Sequence, residues 1–520
     1  MSTIQPFIAL RKSLNSYNLE SFWCDLRAGA VVALIALPLG LALAVAIGVP
    51  PVHGLFTIVT AGAIVGLLGG SRHQVTGPTA AFVVVLLPIV QKLGLPGLLY
   101  AGFLAGLIMM VLSTLGVGRI IKMMPFPVVT GFTTGIAIVI FTLQLKDFLG
   151  LTIAAMPNEF ILKIPTMIHA IPSFNFQEFL VGIFTITVII GIQRVYKKTP
   201  GPIIGIVSAS IAVFIIQKYL PSFNVSTIGT RYPGGIPSGF PKLFPFWSQF
   251  SGFTGFWSVT IDILPTAFTI AALGAIESLL SAVVADSMAR THHDPDTELF
   301  AQGVGNIVAP FFGGIAATGA IARTATNIRF GAISPISSFI HALAVLACLI
   351  FGSSLASYFP IAALAALLMV VAYNMADIKH VKTILKIGQR EDRLVFIITL
   401  FATVVFDMTT GVASGLLLAM VLFVNRLINQ SAGYWLPRSE VELEIKESIP
   451  KNIQLYILEG QLFFGAIQKA IASLLSISRD VNFVILDFSR VHDIDLTALT
   501  ALYSAVLDIQ FHKKNVCSQR

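Results

Sequence analysis

The stretch "GGIAATGAIARTATN", Gly313–Asn327, decides how the rest of the chain is read. It lies between apolar runs long enough to cross a bilayer and is built almost wholly of Gly, Ala, Thr and Ile, yet it carries one arginine, Arg323. An arginine at the centre of a membrane costs about 2.5–3.5 kcal/mol on insertion scales. A unit anion about 4 Å away returns roughly 4 kcal/mol at an effective dielectric near 20, so the charge is tolerable where water or an anion shares its cavity. The alternatives are a plain loop residue or a permanent partner to an acid such as Glu277.

A second stretch echoes the first. "LLGGSRHQVTGPTAAFVVVLLPIV", Leu67–Val90, also opens on a Gly-Gly pair followed by a short interrupted apolar run, and the distance from Gly70 to Thr79 equals that from Gly314 to Arg323. Paired Gly/Pro-interrupted segments at matching places in two halves point to a transporter's binding site. Non-helical backbone at membrane depth is allowed only where it is buried in protein or lines a cavity. Two short spans that start near the midplane aim their first N–H groups at one point, each with an effective charge of roughly +0.5, which is an anion site in outline.

Composition agrees with a membrane setting. Of 520 residues, 56% are hydrophobic and 11% charged, against about 25% charged in ordinary soluble domains, and the mean hydropathy is +0.86. Those values exclude a soluble globular protein. The spacing of apolar runs predicts an all-α polytopic membrane protein of roughly fourteen spans, starting near Ala28, Gly54, Thr79, Gly97, Pro125, Phe179, Gly201, Pro265, Leu299, Arg323, Pro335, Ile361, Leu394 and Gly411. Seven spans per half is an odd number, so the second half enters upside down, as 7+7 inverted repeats over about 28–220 and 262–428. Residues 1–27 form a polar amino-terminal segment without the pattern of a secretory signal, and no part of it is expected to be removed. The net charge of +8 lies in short clusters between spans (Arg119 and Lys122; Arg194, Lys197 and Lys198; Arg290 with His292 and His293; Lys379 to Arg393). That placement puts both termini in the cytoplasm and speaks against nucleic acid as a partner. Cys24, Cys348 and Cys517 are far apart and are expected to be reduced, inert thiols.

Glu277 lies twelve residues after Pro265 in "TAFTIAALGAIESLLSAVVAD", so roughly 18 Å along a helix and near the midplane. A carboxyl there that takes up a proton would couple H+ to anion binding, or would join backbone carbonyls as a Na+ ligand; the plainer reading is a hydrogen bond to Ser278 or Ser281. Thr76, Thr79 and Thr324 offer hydroxyls to a bound oxyanion, or bond the backbone one turn back. Asp286, Glu298 and Asp407 fall at span ends, where capping or solvation is expected, and His292 and His293 read as surface. With no phosphate loop and no zinc-binding His pair, neither an enzyme nor a cofactor is implied. After Arg426 the character changes: the chain turns charged and alternating, then reads as strand, turn and amphipathic helix through "FVILDFSRVHDIDLTALTALYSAVLDI". Residues 437–520 are thus expected to form a small cytoplasmic α/β domain, with Asp495 and Thr497 at a helix start that suits a cap or a phosphorylation site.

Three stretches carry a resemblance over nearly the whole chain: "GLFTIVTAGAIVGLLGGSRHQVTGPTAAFVVV", "LGAIESLLSAVVAD" and "ELFAQGVGNIVAPFFGGIAATGAIARTATNIRFGAISPIS". They resemble the sulfate permease (SulP) family of anion transporters, and most of all its bacterial branch that includes an aerobic C4-dicarboxylate transporter. The resemblance implies core and gate domains moving as an elevator, in a bacterial inner membrane, with substrate held between the third and tenth spans. Matched position by position, it puts third-span contacts on Gly77, Pro78, Thr79 and Ala80, tenth-span contacts on Ala322, Arg323 and Thr324, and the eighth-span acid on Glu277. The tail resembles a STAS domain in which "IDLTAL" replaces the usual "IDSSGL", with Thr497 at the hydroxyl position and Ala498 in place of a glycine; by that comparison it looks truncated after "QFHKKNVCSQR". The expected activity is secondary active transport of sulfate or a C4-dicarboxylate by H+ or Na+ symport, with a homodimer as a further partner. Bicarbonate or chloride transport, a passive anion channel, a nucleobase permease and a signalling scaffold are the competing readings.

Overall fold

The computed structural model describes residues 4–121, 124–153, 156–157, 159–196, 199–249, 253–430, 432–437, 439–440, 450, 452–463, 465–476, 481–511 and 515–519. Of the loop charges that set the expected topology, Lys122, Lys197 and Lys198 lie outside the described residues. The chain divides into two compact units, Met1–Leu416 and Leu417–Arg520.

Among the described residues the spans are carried by α1 (Leu19–Ile47), α2 (Val52–Leu68), α3 (Ala80–Thr114), α4 (Phe126–Phe148), α5 (Phe176–Val195), α6 (Gly201–Tyr219), α7 (Phe253–Ala289), α8 (Pro295–Val308), α9 (Ile321–Arg329), α10 (Ile336–Phe351), α11 (Ile361–Met375), α12 (Arg390–Val405) and α13 (Met408–Gln430). Helix α3 holds two spans, because Gly94 breaks its backbone at φ 66°, ψ −167° just before Pro96. With α3 counted twice, fourteen helical segments among the described residues stand where the fourteen spans are expected, several of them shorter than a full crossing. Eight of the segments are long and apolar enough to cross a membrane on length and composition alone.

Helix starts differ from the apolar boundaries for a local reason. Asn18, Asn175 and Asp294 each accept a backbone N–H as N-caps, so α1, α5 and α8 begin several residues before Ala28, Phe179 and Leu299, with polar residues in the first turn. Pro265, expected to open the eighth span, instead lies inside α7.

Helices α1, α2, α3, α7, α8, α9 and α10 pack on one another as one bundle, and α4, α5, α6, α11 and α12 as a second. Helix α13 joins the second bundle through Gly411 and Gly415, whose bare Cα atoms lie against Thr403 and Thr399 of α12. Each half of the chain thus gives four spans to one bundle and three to the other. Close packing is severe within the first bundle: a Cβ at Gly54 would lie 1.9 Å from the Gly40 carbonyl oxygen, so α1 and α2 meet backbone to backbone.

Two short strands, β1 (Thr76–Gly77) and β2 (Thr318–Gly319), pair antiparallel with Thr76 opposite Gly319 and Gly77 opposite Thr318. This ladder joins the two halves at the interrupted segments. In the second unit, β3 (Ala432–Trp435), β4 (Ile453–Leu462), β5 (Phe483–Ile494) and β6 (Asn515–Gln519) form a sheet in that order, β3 antiparallel and the rest parallel. Helices α14 (Ile467–Leu474) and α15 (Leu496–Phe511) follow β4 and β5 and bury Ile467, Leu474 and Leu502 with Tyr456 and Val484, which makes this unit an α/β domain.

Candidate functional site

The site is built on the two interruptions. Extended backbone inside a membrane must find partners for each N–H and C=O group, and here side chains supply them. The Gly70 and Ser71 amides donate to Glu298 Oε2 at 3.0 and 3.1 Å, and the Val75 amide donates to Thr324 Oγ1 at 3.0 Å. Asn306 clamps Ala317 on both sides: its Nδ2 donates to the Ala317 carbonyl and its Oδ1 accepts the Ala317 amide, both at 2.8 Å. The Gly319 amide donates to Ser278 Oγ and the Ile315 amide to Thr57 Oγ1. Each strand runs into a helix that has no side-chain cap: α3 starts after Thr79 and α9 after Ala320. Their first N–H groups carry the positive end of each helix toward one region.

Arg323 is the third residue of α9 and is 3% exposed. Its Nη2 donates to the Pro78 carbonyl at 2.6 Å, whereas Nη1 is buried without a hydrogen-bond partner. Gly77 makes room for it, since a Cβ there would sit 2.5 Å from Nη1. Across the site, Thr79 Oγ1 donates to Glu277 Oε2 at 2.7 Å. Thr79 and Glu277 are half-buried and Ala322 is exposed, while Pro78 and Ala80 are buried. Arg323 and Glu277 belong to one site, yet neither is in any of the ion pairs among the described residues. A buried guanidinium with a spare donor, flanked by two uncapped helix starts, can bind an oxyanion; the neighbouring carboxyl can hold a proton.

The structure brings Gly77, Pro78, Thr79, Arg323 and Glu277 together. It gives Thr76 and Thr324 scaffold duties: Thr76 Oγ1 accepts from Gln302 Nε2 at 2.8 Å, and Thr324 Oγ1 accepts from Val75 and Ser281. Ser278 and Ser281, the plainer partners expected for Glu277, bond Thr318 and Thr324 instead.

Several expectations need correction. Glu298 is fully buried and, besides the loop amides, accepts from Gln74 and Gln302 at 2.9 and 3.2 Å, so it is neither solvated nor a helix cap. His293 is buried and its Nδ1 pairs with Asp286 at 2.6 Å, while His292 is exposed as expected. Asp407 does cap α13, accepting from Thr410. The equal spacing to Thr79 and Arg323 does not mark equal positions, since Thr79 precedes its helix and Arg323 lies within its own. The equivalent residues are the Thr-Gly pairs at 76–77 and 318–319, a repeat visible in the sequence. In the second unit Asp495 accepts the Ala498 amide at 2.6 Å as the cap of α15, and Thr497 is exposed on the first turn.

Inverted halves, a pair of uncapped half-helices and a buried arginine between them define a membrane transporter for anions. The chain belongs to the sulfate permease family, which residues 22–399 match. The putative sulfate transporter YvdB of Bacillus subtilis is 38% identical over 497 residues, 95% of this chain and 91% of that protein. The bicarbonate transporter BicA of Picosynechococcus sp. is 28% identical over 516 residues, 95% of this chain and 87% of that protein. The structure of the murine Slc26a9 anion transporter, in an inward-facing state, has a TM-score of 0.84 at 19% identity, covering 98% of this chain and 88% of that one, and so shows the same fold. This chain is accordingly a multi-pass anion transporter and not an enzyme.

Proposed function

We propose that the protein is a secondary active transporter of a small oxyanion, held between α3 and α9 by Arg323 and the two helix starts and coupled to protons through Glu277. The observation that carries this reading is Arg323 Nη1, a buried cationic donor without a partner, beside helices whose first N–H groups no side chain caps. Gly77, Pro78, Thr79, Ala80, Ala322 and Thr324 shape the site, with Thr76 holding β1. With Glu277 ionised, the site's two charges cancel; with Glu277 protonated, one positive charge faces the anion, so proton and anion favour each other's binding.

Sulfate leads among substrates because the 38% identical relative is named a putative sulfate transporter. Bicarbonate is the second reading, after the name of BicA, and C4-dicarboxylate is the third. The bundle that carries the site would move against the other as an elevator, in a bacterial inner membrane with both termini cytoplasmic. The carboxy-terminal sheet and helices fit a STAS-like domain, with Thr497 as an accessible regulatory hydroxyl.

Proteoliposomes test the reading. Labelled sulfate, bicarbonate and a C4-dicarboxylate are offered with an inward proton gradient, an inward sodium gradient or neither. Uphill accumulation driven by the proton gradient is expected. Purely downhill flux would indicate a channel, and sodium-driven uptake would move the coupling ion from H+ to Na+.

A further inference from the structure

Away from the anion site, a cavity of about 620 Å³ opens between α1, α2 and α10 on one side and α6 on the other, walled by Leu37, Leu55, Val207, Phe214, Leu349 and Phe359. It shares Ser210, Phe214 and Tyr358 with an adjoining hollow of about 350 Å³ that also holds Gln217 and Lys218 at the end of α6. Val207, Ile211 and Phe214 are exposed on a helix long and apolar enough to span a membrane, so the mouth faces hydrocarbon. Lys218 is exposed and forms no ion pair among the described residues.

We propose that this two-part groove binds one anionic phospholipid, with an acyl chain in the apolar cavity and the phosphate at Lys218. The apolar chamber has no cation to hold the transported anion, whereas a chain entering from the bilayer meets matching surface throughout. A lysine at the end of a span, where headgroups lie, complements a phosphate. The lipid would sit as a wedge between helices of the site-bearing bundle and α6 of the other bundle, and its exchange would bound their relative movement.

The test uses full-length protein in detergent, incubated with phosphatidylglycerol or phosphatidylcholine carrying a photoreactive group midway along one acyl chain. Crosslinks are expected on α6 and α10, with phosphatidylglycerol retained about fivefold better, a preference that Lys218→Gln removes. Ser210→Trp fills the cavity and should abolish retention of both lipids. Crosslinks spread evenly over all exposed helices, an unchanged headgroup preference in Lys218→Gln, or equal competition by a free fatty acid would each overturn the proposal. Lys218 is exposed, so its variant reports even where the tryptophan variant fails to fold.

Discussion

Arg323→Ala should abolish transport while leaving thermal unfolding little changed, because among the described residues the guanidinium's hydrogen-bond partner is the Pro78 carbonyl alone. Arg323→Lys keeps the charge but lacks the planar fork that bonds Pro78 with one nitrogen and offers the other to an anion, so transport should fall steeply and not recover; flux in proteoliposomes reads both. Gly77→Ala tests the same geometry from the opposite side: its Cβ would displace the guanidinium, lowering transport without unfolding the protein. Glu277→Gln should preserve downhill anion exchange and lose stimulation by a proton gradient. The burial of Arg323 and the placement of Glu277 near it, beside the interrupted segments, were legible in the sequence because a charge in an apolar run demands a reason. Glu298 was not, since its partners Gly70 and Ser71 lie 228 and 227 positions away and only the fold brings them together.

At the scale of elements, the unusual feature is extended backbone held at membrane depth by side-chain amides and hydroxyls. Asn306→Ala would leave both the N–H and the C=O of Ala317 unpaired, at about 1–3 kcal/mol each, and scanning fluorimetry should find a clearly lowered unfolding midpoint. Gly54→Ala places a methyl group against the Gly40 carbonyl, and the expected outcome is loss of folded protein on size-exclusion chromatography. The interrupted segments could be read from their Gly-Gly pairs, and a span start near Gly97 anticipated the break that the structure puts at Gly94. Helix starts could not be read from hydropathy, because Asn18, Asn175 and Asp294 cap helices whose first turns carry polar residues. Pro265 misled for the opposite reason: a proline that signals a helix start in water is tolerated within a membrane helix, where neighbouring groups re-satisfy the backbone.

On the scale of the whole molecule, the proposed anion site draws all its residues from the unit Met1–Leu416. A chain ending at Gln430 should therefore bind the anion as the full chain does. The inverted halves follow from the same economy, since one arrangement used twice in opposite directions gives two half-helices meeting at a single point. Equilibrium binding tests that claim most directly: titration calorimetry of the transported anion against the parent and Arg323→Ala. An affinity reduced about 10- to 100-fold, with unfolding unaltered, is the predicted result; equal affinity in the two proteins would contradict it.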